Sequence, residues 1–120
     1  MMPRAHQLFE IPTPALLQGG YLAEVIDIAD PQQLARVKVR MLNFDGVDGH
    51  DGPVWARVAS AFAGDNRGAF LIPDVGDEVL VVFVNGDARY PIVLGGLWNG
   101  SDIAPESISG GRNVRKVIRS

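Results

Sequence analysis

The fold is decided by residues 55–100, which read WARVASAFAGDNRGAFLIPDVGDEVLVVFVNGDARYPIVLGGLWNG. Residues 78–84, at the centre of this stretch, predict a β-strand that is apolar on both faces. One face carries Val79, Val81 and Phe83, and the other carries Leu80, Val82 and Val84. A strand of this kind is normally covered on both sides. We therefore expect one face to fill a barrel interior and the other to be covered by a local helix, the N-terminal arm or another subunit.

Tight turns flank this strand. Residues 74–77 (Asp-Val-Gly-Asp) precede it, and residues 85–87 (Asn-Gly-Asp) follow it with the Asn-Gly pair that favours hairpin turns. Residues 90–97 are predicted to return as the next strand. Pro91 stands near the start of that strand, which indicates an edge position because proline cannot donate to a sheet.

Three more strands are predicted toward the N-terminus. Residues 21–28 alternate, with Leu22, Ile26 and Ile28 on one face and Asp27 on the other. Residues 35–41 alternate most cleanly: we expect Ala35, Val37, Val39 and Met41 to face inward and Arg36, Lys38 and Arg40 to face outward. Residues 54–60 form the third of these strands. Five strands, short turns and no helix predict an all-β fold, a five-stranded closed barrel of the oligonucleotide/oligosaccharide-binding (OB) type, with an SH3-like barrel as the alternative.

Composition limits the possible classes of function. The chain has 120 residues, 47% of them hydrophobic and 21% charged, which is typical of one globular domain with one core. It contains no cysteine, so disulfides, thiolate metal sites and cysteine nucleophiles are excluded. The net charge of −3 argues against nucleic acid as the main ligand. Because no apolar run approaches a membrane span and the start lacks a secretory signal, we expect synthesis in the cytoplasm.

The chain divides into three predicted parts. Residues 1–19 contain three prolines and no sustained period, and they predict an extended arm that its Leu-Phe and Leu-Leu pairs would pin to a surface. Residues 20–100 form the barrel. Residues 101–120 lose regularity and then resume with Val114–Ser120, which has the pattern of another strand.

Taken in order, the short motifs of the second half resemble a known family. They are residues 55–59 (WARVA), 63–65 (AGD) with Gly68, 73–83 (PDVGDEVLVVF), 86–87 (GD) and 90–100 (YPIVLGGLWNG). This set resembles the OB-fold domain of contractile-tail spike proteins. The family comprises the VgrG proteins of type VI secretion and the hub–spike or baseplate assembly proteins of contractile phage tails and related injection particles. The resemblance covers residues 20–100.

The resemblance implies a structural role in a phage-tail-like particle or secretion apparatus. Members of the family are homotrimers in which the barrel joins a tube-capping hub to a triple-stranded β-helical needle. The implied partners are hub or tube proteins, baseplate proteins and a tip protein, and a membrane is met only by piercing. Residues 112–120 match the lead-in to the needle, and we expect the needle itself to be missing from this chain. A barrel that begins about 20 residues from Met1 favours the phage-like arrangement, in which the hub is a separate polypeptide.

The predicted functional residues are therefore contact residues. The candidate partner interface comprises Leu80, Val82, Val84, Trp98, Val114 and Val117. We predict no catalytic, cofactor-binding or metal-binding residue. His6, His50, Ser60 and Ser101 stand in no motif that would pair a nucleophile with a base, so the chain is not expected to be an enzyme.

Two alternatives to this interpretation stay open. The acidic loop containing Asp45, Asp48, His50 and Asp51 has metal-binding residue types, but its spacing departs from the EF-hand pattern and favours a solvated loop. The other alternative is a stand-alone OB module that binds oligonucleotide or oligosaccharide. It would use the outward row Arg36, Lys38 and Arg40, with Phe44 and Trp55 stacking on bases. Against it, Trp55 and Trp98 are expected to pack at the barrel ends or on a partner, while Arg57 is either exposed or paired with an aspartate.

Overall fold

The computed structural model describes residues 16–42 and 52–120. These residues form seven strands: β1 (Tyr21–Asp27), β2 (Val37–Met41), β3 (Val54–Val58), β4 (Ala63–Gly64), β5 (Arg67–Gly68), β6 (Glu78–Phe83) and β7 (Pro91–Leu97). Five of them close into a barrel in the order β1-β2-β3-β7-β6, and β4 with β5 makes a separate two-stranded sheet. The predicted all-β, five-stranded closed barrel of the OB type is confirmed.

The barrel closes through a single parallel contact. Strand β1 pairs antiparallel with β2 and β6, β2 pairs with β3, and β6 pairs with β7. Strands β3 and β7 run parallel, with Arg57 opposite Ile92 and Val58 opposite Val93. The amide of Ala59 extends this ladder by donating to the carbonyl of Val93 at 2.9 Å. Because both strands are paired on their other sides, this contact removes the last two sheet edges.

Small and β-branched side chains fill the interior. Alternate positions of the five strands point inward, and the buried residues among them are Ala23, Val25, Val37, Val39, Met41, Ala56, Val79, Val81, Phe83 and Val93. Valine suits this space because its side chain is short and has a restricted rotamer. The inward face predicted for Val37, Val39 and Met41 is confirmed, and on β6 the buried face is the one that carries Val79, Val81 and Phe83.

The inner face of β1 is the one that carries Ala23 and Val25. Ala23 and Val25 are fully buried, whereas Leu22 and Ile28 remain 37% and 43% exposed and Ile26 is half-buried. Both faces of this strand carry apolar residues, so alternation alone does not choose between them. The choice is made by pairing, which sets Ala23 opposite Met41 and Val79 on the inner side of the neighbouring strands.

The prediction that Ala35 faces inward is wrong. It lies in the β1–β2 loop with a φ of 58°, it is exposed, and β2 begins only at Val37. The alternation of apolar and polar residues in the sequence therefore starts two residues before the first paired residue of β2.

The hairpin between β6 and β7 has the predicted Asn-Gly turn. Asn85 and Gly86 have φ angles of 54° and 72°, and the amide of Asp87 donates to the carbonyl of Val84 at 3.0 Å. Two consecutive positive φ angles are the geometry of a type I′ turn, which matches the twist of the flanking strands. Pro91 does not lie on an edge, because β7 is paired on both sides. It is the first residue of the strand, a position that proline also tolerates.

Leu17 of the Leu-Leu pair attaches the segment before β1 to this hairpin. The amide of Leu17 donates to the carbonyl of Gly86 at 2.8 Å, and the side chain of Leu17 is 8% exposed within the core cluster. Gly86 permits the approach, since a Cβ there would lie 3.2 Å from the Leu17 nitrogen. Residues 1–15, the rest of the predicted arm, lie outside the described part of the chain.

One carboxylate organises the β1–β2 loop. Asp30 accepts hydrogen bonds from the amides of Gln32, Leu34 and Arg36 and forms a two-pronged ion pair with the Arg36 guanidinium, at 2.8 and 2.9 Å. Only 3% of the Asp30 side chain is exposed. The Arg36 side chain, together with the three amides, holds the pKa of Asp30 well below its usual range.

After β7 the chain is irregular. Within the described residues no helix has the length and apolar character needed to cross a membrane. Residues 98–120 contain one isolated bridge, Ser109 with Arg112, and an ion pair of 3.8 Å between Arg115 and Glu106.

Leu17→Ala tests whether the N-terminal segment belongs to the core. We expect a loss of about 2 kcal/mol in the free energy of unfolding, measured by urea denaturation, because a buried leucine leaves a cavity when truncated. The matched control is Leu71→Ala at a position that is 71% exposed, which should change stability by less than about 0.5 kcal/mol. Equal effects of the two variants would show that Leu17 is not packed as described.

Asp30→Asn tests the ion pair through its dependence on pH. The folded-state pKa of Asp30 lies below the unfolded value of 3.8, so its stabilisation is present above that pH and is lost as the pH falls below it. We expect the variant to unfold at lower urea than the parent at pH 7 and the difference to shrink toward pH 2. Asp65→Asn, in the exposed β4–β5 turn, is the control. A difference that stays constant over this range would contradict the assignment.

Candidate functional site

The outer face of β6 carries three of the six predicted interface residues. Leu80 and Val82 are half-buried, and Val84, just past the strand, is 39% exposed. Leu80 stands opposite Leu22 of β1 and packs so closely on Gly20 that a Cβ there would lie 2.8 Å from its Cδ1. The segment that enters β1 therefore supplies part of the cover that this face needs.

The other three predicted interface residues lie elsewhere. Trp98 is 68% exposed and follows Leu97, which stands opposite Glu78, so it lies at the end of β6 remote from Val84. Val114 is 73% exposed and Val117 is half-buried in the irregular tail. The six residues thus come from three parts of the described chain: the face of β6, the exit of β7 and the tail.

A side-chain cluster fixes the exit of β7. The side-chain amide of Asn99 donates to the Glu78 carboxylate at 2.9 Å, and its oxygen accepts from the backbone amides of Ser101 and Asp102. These contacts tie the Leu-Trp-Asn-Gly motif to the first residue of β6. The direction in which the tail leaves the barrel is therefore determined by the barrel itself.

A further surface contains Arg36 and Trp55, which were named from the sequence as site residues only for the alternative binding module. It is an open groove of about 730 Å³ along β3, between the β1–β2 loop and the β6–β7 hairpin. We call it the β3 groove and define it by Arg36, Trp55, Arg57, Arg89, Tyr90 and Ile92. The signal in the sequence is the pair Trp55 and Arg57, two residues apart and so on one strand face. Its walls come from distant segments, which is why the pattern alone did not reveal it.

Cations from β2 and its preceding loop cover the Trp55 ring. The Arg36 Cζ lies 5.6 Å and the Lys38 Nζ 5.9 Å from the ring centroid, and Lys38 is the cross-strand partner of Trp55. Cations at this distance from an indole are attracted by its π face. Trp55 therefore lies on the outer barrel wall and not at a barrel end, which was one of its two expected positions; the other, a contact with a partner, stays a prediction.

The hairpin wall of the groove repeats this arrangement. The Arg89 guanidinium binds the Asp87 carboxylate, with a shortest distance of 2.6 Å, and lowers the pKa of Asp87 to about 2. Its Cζ lies 5.3 Å from the centroid of the Tyr90 ring.

The predicted phosphate-facing row is only partly available. Arg36 is paired with Asp30, and Arg40 is paired with Glu24 at 2.8 Å. Lys38 remains without a carboxylate partner among the described residues. Arg57, left open as exposed or paired, is exposed, stands opposite Ile92 and likewise has no ion-pair partner in residues 16–42 and 52–120.

The residue types that could bind a metal or act as a nucleophile are placed as follows. Among the described residues no three His, Cys, Asp or Glu side chains come together to hold a metal ion. The acidic loop of residues 45–51, Phe44 and both histidines lie outside the described residues. The Ser60 hydroxyl lies 2.8 and 2.9 Å from the carbonyls of Phe62 and Ala69, so it braces the entry and exit of the β4–β5 hairpin.

Comparison with known proteins bears on this barrel. Residues 21–98 match the family described as the type VI secretion system/phage-baseplate injector OB domain. The chain is 39% identical over 75 residues to the type VI secretion system spike protein VgrG1a of Pseudomonas aeruginosa. The aligned residues make up 61% of this chain and 12% of that protein. It is 43% identical over 66 residues to the type VI secretion system spike protein VgrG3 of Vibrio cholerae, and the aligned residues make up 55% of this chain and 6% of that protein. A third relative, the actin cross-linking toxin VgrG1 of Vibrio cholerae, is 37% identical over 54 residues, which make up 45% of this chain and 5% of that protein.

The matched region coincides with the folded barrel. It begins at the first residue of β1 and ends one residue after β7, and the relatives contain this region within much longer chains. The chain therefore belongs to the type VI secretion system/phage-baseplate injector OB domain family.

Proposed function

We propose that this chain is a structural component of the spike of a contractile injection machine, in which its barrel joins a hub or tube to a needle. The observation that carries the proposal is a closed OB barrel, matched to the injector family over residues 21–98, whose last strand leads into an irregular tail with exposed apolar side chains. The barrel has a filled interior and no open edge, so it suits a rigid joint. The tail lacks a core of its own.

The tail supports assembly with other copies of the chain. Its large apolar side chains are exposed, at 83% for Ile103, 65% for Ile108, 73% for Val114 and 91% for Ile118. Apolar groups this exposed are typical of contact surfaces. Residues 112–120 are basic and β-branched, and a strand of this kind needs neighbours to pair its edges. We infer that three chains supply one another's neighbours, making a homotrimer in which residues 101–120 lead into a triple-stranded β-helix.

The proposed partners follow from this position in the machine. Hub or tube and baseplate proteins would contact the barrel side, and a tip protein would cap the needle. The particle would be synthesised and assembled in the cytoplasm, and a membrane would be met only by piercing. We assign no catalytic step to the chain, since the toxin name belongs to a relative of which the match covers 5%.

A stand-alone binding module is the competing function. The β3 groove lies on the face where OB folds bind oligonucleotides and oligosaccharides. However, Trp55 and Tyr90, the aromatic rings that would stack on a base or sugar, already have cations of the chain over them. The genes adjoining this one separate the two functions, because a spike component should be encoded beside sheath, tube and baseplate proteins.

The trimer is tested by light scattering on the intact protein as its gene encodes it. We expect the mass of three subunits. Val114→Asp combined with Val117→Asp should reduce the mass, because a buried unpaired carboxylate in an apolar contact costs several kcal/mol.

The control is Val75→Asp in the turn before β6, where the valine is 57% exposed and the trimer should persist. Circular dichroism should show that the barrel strands remain in all variants, while the tail variant loses only the strand content that depends on the trimer. A stable monomer of the intact parent protein would contradict the proposed function.

A further inference from the structure

The β3 groove and the strand beside it carry two positive charges that the described residues do not neutralise. Arg36 and Arg89 line the groove and are paired with Asp30 and Asp87. Arg57 also lines the groove, and Lys38 of β2 lies next to it over the Trp55 ring; neither has a carboxylate partner in residues 16–42 and 52–120. This surplus occurs on a chain whose net charge is −3. An uncompensated cationic surface on an acidic protein points to an anionic partner.

The backbone positions of the two cationic residues have a defined spacing. Lys38 stands opposite Trp55 on the antiparallel pair β2–β3, and Arg57 lies two residues further along the same face. Such diagonal neighbours are roughly 7–8 Å apart. An extended peptide presents side chains on one side at intervals of about 6.6–6.8 Å, so acidic residues at positions i and i+2 would meet both cations.

The walls of the groove are held in place before any partner arrives. Asp30 fixes Arg36 through a two-pronged ion pair, and Asp87 fixes Arg89 on the hairpin. Ile92, half-buried on β7, gives the floor an apolar patch. A preformed groove lowers the ordering cost of binding, which favours a flexible segment as the occupant.

We propose that the β3 groove binds an extended acidic segment of a partner protein, with acidic residues two positions apart contacting Lys38 and Arg57 and an apolar neighbour resting on Ile92. A single strand of nucleic acid fits less well. It carries a charge at every nucleotide and binds through open aromatic faces. Here only two cations are uncompensated, and the Trp55 and Tyr90 rings already have cations of the chain over them. The inference rests on the groove alone and stands whether or not the chain joins a hub to a needle.

The test uses Trp55 as the reporter. The chain has two tryptophans, so Trp98→Phe leaves Trp55 as the single fluorophore of the full chain. The probe is a synthetic peptide in which Glu alternates with Val and Thr, and a peptide of the same length with Lys in place of Glu is its counterpart. We expect the acidic peptide to change Trp55 fluorescence with a saturable, salt-sensitive titration and the basic peptide to have no effect.

Charge reversal locates the binding. Lys38→Glu combined with Arg57→Glu should lower the affinity for the acidic peptide by at least about tenfold, since like charges then face each other. Lys116→Glu combined with Arg119→Glu makes the same change of net charge in the tail, outside the groove, and should leave the affinity for the peptide unchanged. Both sites of the groove variant are on the outer surface, and an unchanged thermal midpoint will show that it is folded. Lys38→Gln combined with Arg57→Gln, which removes charge without repulsion, should give an intermediate affinity.

Four results would overturn the proposal. They are no binding of the acidic peptide, undiminished binding by the folded groove variant, loss of binding in the tail variant, and tighter binding of an oligothymidylate of equal charge than of the peptide. The last result would assign the groove to nucleic acid.

Discussion

The parallel pairing of β3 with β7 is the contact on which the rest of the structure depends. Without it the other four barrel contacts would leave a curved sheet with β3 and β7 as open edges. Closure surrounds Val25, Val39 and Val81 on all sides and makes them inaccessible to solvent. It therefore converts a row of alternating valines into a core, and that core is what a chain of this size has available for stability.

Closure also creates both surfaces to which we assign a role. It sets Arg57 of β3 beside Ile92 of β7, which brings the β6–β7 hairpin next to Trp55 and so forms the β3 groove. It orients β7 so that its last residues meet the start of β6, where Asn99 binds Glu78 and directs the tail away. The groove and the tail lie outside the core, and a change in either should leave the barrel folded.

The sequence predicts those features that depend on neighbours along the chain. The alternation of Val37, Val39 and Met41 gives the inner face of β2 directly, and Asn85-Gly86 gives the turn. The pattern does not choose a face where both faces of a strand are apolar, as on β1 and β6. Leu22 and Ile28 are as apolar as Ala23 and Val25, and only the partner strands decide which set is inside.

The candidate site was harder to predict, for a different reason. An apolar residue on a strand face shows that cover is needed but not what supplies it, and at Leu80 part of the cover is Gly20 of the same chain. The β3 groove combines residues about 50 positions apart along the chain, and the ion pairs that neutralise Arg36 and Arg89 are set by loop geometry. The family match was within reach because it depends on ordered motifs and not on contacts.

Native-state hydrogen exchange, resolved residue by residue on the full chain, tests closure most directly. If β3 and β7 close the barrel, the amide of Ala59, which donates to Val93, should exchange only through global unfolding, as the amides of β6 do. The amides of Asp65 and Asn66, in the exposed turn between β4 and β5, should exchange without protection in the same sample. Exchange at Ala59 as fast as in this turn would show an open sheet and would contradict the account.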